Sequence, residues 1–351
     1  MLDLQNSPIT FDFVHYGKVL EPRKNTLVLD VGMKTVPGVI DHHHPQAEIE
    51  CTASLIAKHP QLVLDHVNKE TLGGDIEKPQ DLKFITHRLP DFDAVASIFL
   101  SIKLIEVEHI DHPMGEIAGY TRMVDSATLP RDIDLTATPY SILRALFKNI
   151  RKEETVANLQ RVDEGLRFMN FLYMKSREGY ELLENRALFS GVDRYEKAIR
   201  EAEEDYFDYI KDLNRAEKTT LFLPRTDGKG KRDIDGLFVR NPRSYLFKDW
   251  ARRDRDNTAH RDGFGFLMTN FRDKRYILGV DPEKGIYLKG LGDLLNEMEL
   301  SKRRTEDRPL GFSWYDGNCP FFNYRIVDSP QDGTSLTHEE IVATILTFSQ
   351  E

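Results

Sequence analysis

Residues 26–45, TLVLDVGMKTVPGVIDHHHP, decide the fold class. Two short runs rich in branched apolar residues, 26–29 and 36–40, each end in an acid, Asp30 and Asp41. Such runs read as buried strands. A carboxylate directly after a strand faces outward from the carboxyl edge of a sheet, where open α/β sheets bind their ligands. Working outward, residues 62–64 and 83–86 read as further strands and residues 52–59 and 94–106 as helices. Gly38, Gly73-Gly74 and Pro90 punctuate them as turns. The alternation predicts an α/β domain with a mostly parallel sheet over residues 1–140.

The pattern changes over residues 141–217. Leu159, Val162, Leu166 and Met169 recur at helical spacing, and neither Gly nor Pro breaks residues 141–164 before Gly165. We expect two long helices here, the first over 141–177, with a turn at Gly191-Val192-Asp193; together they form a helical connector. From Lys218 on, strand-like runs return at 219–223, 236–239, 265–270, 275–280 and 324–327. These predict a smaller α+β C-terminal domain over residues 218–351. Residues 226–231 read as a hairpin tip, and Thr337 with Glu340 as a capping box for a last helix.

Composition limits the function classes. A chain of 351 residues with 40% hydrophobic content exceeds what one core organises. No apolar run approaches the roughly 18 residues of a membrane helix, and the first residues do not read as an export signal, so a cytoplasmic location is expected. Two cysteines, Cys51 and Cys319, are too few for a disulfide framework or a thiolate zinc site. Any metal must be held by His, Asp and Glu. The net charge of −10 lies almost wholly in residues 1–217, with 26 basic against 37 acidic residues. Residues 218–351 carry 22 against 21. That balance argues against a continuous duplex-binding surface, and acidic faces of this kind are also ordinary solvated surface.

Three early segments hold metal-type ligands. Asp30 ends the first strand, where it could equally form a turn. Asp41-His42-His43-His44-Pro45 follows the second; a neutral imidazole ligates through one nitrogen while an acceptor fixes the other, though a solvated histidine loop is the plain alternative. His87, Asp91 and Asp93 lie in a loop above a strand and open a helix, an H-x-x-x-D-x-D pattern. Alternate residues of an extended loop point to opposite sides, so Asp91 and Asp93 can serve different ions. Asp125 ends a helical stretch and by itself reads as a helix terminus.

Asp30, Asp41-His42-His43, His87 to Asp93 and Asp125 together resemble the DHH phosphoesterase superfamily, with the motif order circularly permuted, since Asp30 and the triplet precede His87. Ligands need only converge in space, so the order does not forbid the site. The resemblance implies a hydrolase with two divalent ions, Mn²⁺ foremost and Co²⁺ or Mg²⁺ next. It places His87 and Asp91 on one ion, Asp93, His42 and Asp125 on the other, and Asp30 between them. It implies that His43 faces the phosphate, that Asp41 orients the histidines, and that Arg88 adds positive charge. An activated water would then attack phosphorus.

The second half supplies candidate substrate contacts. Arg243, Lys248 and Arg252 are interleaved with Tyr245 and Trp250, suited to phosphate and base, although the same residues make an ordinary packing face. Gly263 and Gly265 would let backbone approach a ligand, or serve a turn. Asn318 and Ser329 lie in polar loops, and Gly333, Thr334 and Ser335 could form an anion nest. The expected substrate is a phosphodiester or phosphomonoester of a small nucleotide or short single-stranded oligonucleotide, as for an exonuclease or phosphodiesterase. A pyrophosphatase or polyphosphatase, or a non-hydrolysing nucleotide-sensing module, is the alternative. No membrane partner is expected, and a homodimer is compatible with the chain.

Overall fold

The computed structural model describes residues 9–68, 81–150, 154–183, 186–271, 274–306, 309–310 and 313–350, so the expected turn at Gly73-Gly74 lies outside the described residues. It is a mixed α/β structure with two five-stranded sheets. The chain divides into two compact units: Met1–Ala202 with Cys319–Phe321, and Glu203–Asn318 with Phe322–Glu351.

The first unit contains β1 (Ile9–Val14), β2 (Thr26–Leu29), β3 (Thr35–Val36), β4 (Val39–Ile40), α1 (Thr52–Lys58), α2 (Gln61–Leu64), β5 (Leu82–His87), α3 (Phe92–Val107), α4 (His112–Asp125), α5 (Pro139–Lys148), α6 (Glu154–Arg177), α7 (Arg186–Phe189) and the start of α8 (Asp193–Arg215). Its sheet runs β1-β5-β2-β4-β3. The first four are parallel neighbours and β3 is antiparallel to β4. The mostly parallel sheet expected from residues 26–86 is therefore present.

Several details differ from expectation. Residues 36–40 are not one strand: Pro37 and Gly38 reverse the chain into the β3–β4 hairpin. Gly38 has φ +87°, and a Cβ there would meet the His66 ring at 2.5 Å. Residues 62–64 form α2, because Pro60 already has helical angles (φ −58°, ψ −22°) and starts a turn; so short an apolar run carries no periodicity to separate helix from strand. The helix expected over 141–177 is two, α5 and α6; α5 starts earlier, at Pro139, capped by the Thr138 hydroxyl. β1 has no counterpart in the expected elements.

Helix α3 is buried along most of its length and meets α1, α4 and α6. Its approach to α6 is close because Gly165 lacks a side chain: a Cβ there would lie 2.7 Å from Val95 Cγ1.

The second unit continues with β6 (Glu217–Pro224), β7 (Lys231–Arg240), α9 (Phe247–Arg253), β8 (Phe266–Phe271), β9 (Arg275–Val280), α10 (Leu291–Thr305), β10 (Ile326–Asp328) and α11 (His338–Gln350). Its sheet runs β10-β9-β8-β7-β6, with β7 and β8 parallel and the other neighbours antiparallel. Side chains alternate along β7. Ile234 and Phe238 therefore join a core with Leu291 and Leu295 of α10 and Ile341 and Ile345 of α11. Leu237 and Val239 join another with Tyr209 of α8 and Phe247 of α9. The capping box at α11 is present: Thr337 N donates to Glu340 and Glu340 N to the Thr337 hydroxyl. Among the described residues no helix is long and apolar enough to cross a membrane.

Gly165→Val should lower stability to chemical denaturation by about 1–3 kcal/mol, the ordinary cost of overpacking, and adding Val95→Ala should restore part of the loss.

Candidate metal centre

The parallel strands deliver their acids and histidines to one edge. β2 ends at Asp30, β4 at Asp41, His42 and His43, and β5 at His87, while α3 opens on Asp91 and Asp93 and α4 closes on Asp125. Asp30, Asp41, His42, His87 and Asp93 are buried. Ligand atoms gather into three groups, each within 4.8 Å: Asp30, Asp41, His42 and His43; Asp30, His87 and Asp91; and His42, Asp93 and Asp125. His87 Nε2 is 3.2 Å from Asp30 and 3.6 Å from Asp91. His42 Nδ1 is 3.4 Å from Asp30, and its Nε2 is 3.3 Å from Asp125. These clusters can hold a metal ion.

The surrounding chain holds each group in place. Asp41 Oδ2 accepts from the Met33 amide at 2.6 Å, and its Oδ1 lies 2.7 Å from His43 Nδ1. Asp91 caps α3 by accepting from Ala94 N at 3.1 Å. The helix thus starts before Ala94, and Asp91 and Asp93 diverge through its first turn instead of alternating along an extended loop. Asp93 accepts from the amides of Thr52 and Ala53, both at 2.9 Å. The Thr52 hydroxyl donates to Asp30 at 3.1 Å and lies 3.2 Å from His42 Nδ1. Asn158 of α6, buried, accepts from Leu89 N at 2.8 Å and so fixes the turn after β5, where Leu89 has φ +56°. Nothing local marks Thr52 or Asn158, since each acts on residues far away in sequence.

Charge in this space is out of balance without a cation. Burial raises the Asp93 carboxyl well above its ordinary range, and the nearby Asp30 and Asp125 charges raise it further. Burial opposes a charge on His43, but Asp41, Asp30 and Asp125 outweigh it and push the imidazole up to about 10. His87 is raised likewise against its burial, by Asp91 and Asp30. Asp41 and Asp91 move the other way: burial opposes their ionisation, and the adjoining His43 and His87 hold them below the usual range. Asp125 Oδ2 is buried and has no hydrogen-bond partner among the described residues. A carboxylate oxygen without a donor, beside imidazoles and further acids, is the donor set a hard or borderline divalent cation takes.

The remaining sequence candidates have other partners. Arg88 Nη1 pairs with Glu154 at 3.3 Å. In the second unit, Arg243 and Lys248 are exposed. Arg252 Nη2 donates to the Val280 carbonyl at 3.2 Å. Gly263 (φ +82°) and Gly265 admit the protein's own chain: a Cβ would meet the Arg252 carbonyl oxygen at 2.0 Å and Ile234 at 2.3 Å respectively. Asn318 Oδ1 accepts from Tyr324 OH at 2.8 Å, and Ser329 Oγ from Tyr276 N at 2.8 Å. Trp250 donates its indole N–H to Asp205 at 3.1 Å and meets Tyr206 edge-on. The Thr334 hydroxyl and the Ser335 amide donate to Glu299, so the nest-like turn already serves a carboxylate of the protein.

No protein-family model matches this chain, and no curated protein matches it.

Three measurable outcomes follow from these charges. His43 is held at about 10 against an ordinary 6.5. Its contribution to stability is therefore complete below pH 6.5 and lost as pH rises through about 10; the raised His87 and Asp93 act in the same direction. Thermal unfolding in chelator should show the midpoint falling over this range, and Mn²⁺ addition in weak buffer should release protons, with affinity rising with pH. Thr52→Val should weaken Mn²⁺ binding by roughly 10–100-fold, as loss of a ligand's supporting hydrogen bond does, and Thr52→Ser should recover most of it in calorimetry.

Proposed function

We propose that the first unit is a DHH-type metal-dependent phosphoesterase domain that holds two divalent ions, Mn²⁺ foremost. The observation that carries this is the sharing of ligands: Asp30 belongs to the His87–Asp91 group and to the Asp41–His42–His43 group, and His42 belongs in turn to the group of Asp93 and Asp125. His87, Asp91 and Asp30 would hold one cation, and His42, Asp93 and Asp125 the other, with Asp30 between them. When bound, such a pair supplies an activated water and charge stabilisation at phosphorus.

The chain's own groups do the rest. The carboxylates Asp30, Asp91, Asp93 and Asp125 balance two divalent charges before an anionic substrate arrives. His43 is kept protonated through Nδ1 by Asp41, and donation to a substrate oxygen falls to its Nε2, the role of a preorganised donor to developing charge. The substrate is a phosphodiester or phosphomonoester of a small nucleotide or short single-stranded oligonucleotide. Inorganic pyrophosphate or polyphosphate is the second reading, favoured by the engagement of the Trp250 indole with Asp205 and Tyr206, which leaves it less suited to stack a base.

Assayed with Mn²⁺ against short oligonucleotides, cyclic dinucleotides, adenosine 3′,5′-bisphosphate, pyrophosphate and polyphosphate, the protein should hydrolyse at least one and lose that activity in chelator. Metal uptake with no turnover on any substrate would favour a nucleotide-sensing module. Asp30→Asn, compatible with the left-handed backbone at φ +60°, should lower turnover by more than about a hundredfold. His43→Gln should cost about 10²–10³ in kcat.

A further inference from the structure

Glu154, Asn158, Arg161 and Gly165 form one stripe along α6, at helical spacing. Three of them have fixed partners. Glu154 pairs with Arg88 at 3.3 Å, Asn158 accepts from Leu89 N at 2.8 Å, and Gly165 lies against Val95 in the first turn of α3. The partners advance from 88 through 89 to 95 as the helix advances from 154 to 165. Arg161 comes between Asn158 and Gly165, so it lies alongside the stretch between Leu89 and Val95. That stretch holds Asp91, the cap of α3 and a member of the His87 group. Asp91 is the open side of that group, its side chain 48% exposed.

Arg88, the cation the sequence pointed to, is already neutralised by Glu154. Arg161 is not. It reaches from α6 to α5, where its guanidinium carbon stands 5.3 Å from the ring centroid of the buried Phe147. Its Nε is buried and meets no acceptor among the described residues. A guanidinium carries five N–H donors and no acceptor, and buried donors are ordinarily satisfied. Arg144 precedes Phe147 by three residues, hence on the same face of α5. Burial and the Arg144 charge both hold the basicity of Arg161 below the ordinary guanidinium range, while Asp91 acts the other way. Once a cation takes Asp91, two neighbouring guanidiniums are left with positive charge in excess.

We propose that Arg161, with Arg144 beside it, is a specificity-determining subsite for a second phosphate of the substrate, the one that is not cleaved. The preferred substrate then carries a terminal phosphate next to the scissile one. The inference rests on the first unit being a metal-dependent phosphoesterase with Asp91 as a ligand. A guanidinium can give two parallel hydrogen bonds to one phosphate, and the Nε without an acceptor is one donor of that fork. The Phe147 ring beneath it fixes the orientation.

The test measures hydrolysis of the dinucleotides pApA and ApA by the Mn²⁺-loaded full chain, for the natural sequence, Arg161→Met, Arg161→Lys and Arg144→Met. The natural protein should prefer pApA through a lower KM. Arg161→Met, which keeps an apolar stem over Phe147, should raise KM for pApA roughly 10–100-fold, the worth of a hydrogen bond to a charged group, with kcat little changed. The effect on ApA, which has no phosphate to place there, should be far smaller. Arg161→Lys should recover part of the loss, and Arg144→Met, at an exposed position, should show a smaller loss of the same kind. An unchanged KM for pApA would overturn the proposal, as would equal losses on both dinucleotides, which would make Arg161 a structural support of α6. Should Arg161→Met fail to fold, Arg144→Met decides by the same comparison. If the natural protein takes up Mn²⁺ but cleaves neither dinucleotide, their hydrolysis is refuted and calorimetry judges the subsite separately: tighter binding of pApA than of ApA, lost in Arg161→Met, supports it, and equal binding overturns it.

Discussion

Mutual repulsion among Asp30, Asp93 and Asp125, gathered around His42, is the constraint on which the first unit depends. Like charges in a space of low dielectric interact far more strongly than in water. They are tolerated here because separate elements bring in opposing charge and dipoles. The amides of Thr52 and Ala53 face Asp93, the Thr52 hydroxyl faces Asp30, and the neighbouring acids raise the proton affinity of His43 and His87. Protonation compensates in part, as the raised Asp93 indicates. A divalent ion would replace those protons with a stronger positive charge.

Buried acids of the second unit show the contrast. Glu299 accepts from Arg303, Trp314, Thr334 and Ser335, and Arg303 also reaches Asp332 with a pair of hydrogen bonds. Asp205 accepts from Ser244, Tyr245, Leu246 and Trp250. These carboxylates are saturated by donors of the chain itself, as buried polar groups in a stable interior are. They tie loops to helices. Asp125 Oδ2, without a hydrogen-bond donor among the described residues, lies instead beside His42 and Asp93.

Most candidate ligands were legible in the sequence because each stands at the end of a strand or the start of a helix, where residue type and local pattern coincide; Asp125, by itself a helix terminus, joined them only through the resemblance. Asp30, His42, His87, Asp91, Asp93 and Asp125 fall into the grouped sets. What supports them was not legible. Thr52 acts on Asp30 and Asp93, 22 and 41 residues away, and Asn158 acts on Leu89, 69 residues away. Arg161 depends on how α6 lies against α3 and α5, and β1 alternates half-buried with exposed residues instead of forming an apolar run. In residues 241–253, cations among aromatics carried two meanings. The buried Phe247 and Ala251 face the sheet and Trp250 reaches Asp205, a distinction that composition does not contain.

The place of β5 bears on how the chain acquires this architecture. It is the last strand of its sheet in chain order, yet it lies between β1 and β2. Until it inserts, those two strands present open edges to each other and to any neighbouring polypeptide, and unpaired edges invite intermolecular association. During synthesis from the N-terminus, β1 and β2 must therefore wait for the strand that lies between them. Nascent chains halted before Leu82 are the species most exposed to edge-to-edge aggregation and most in need of chaperone cover.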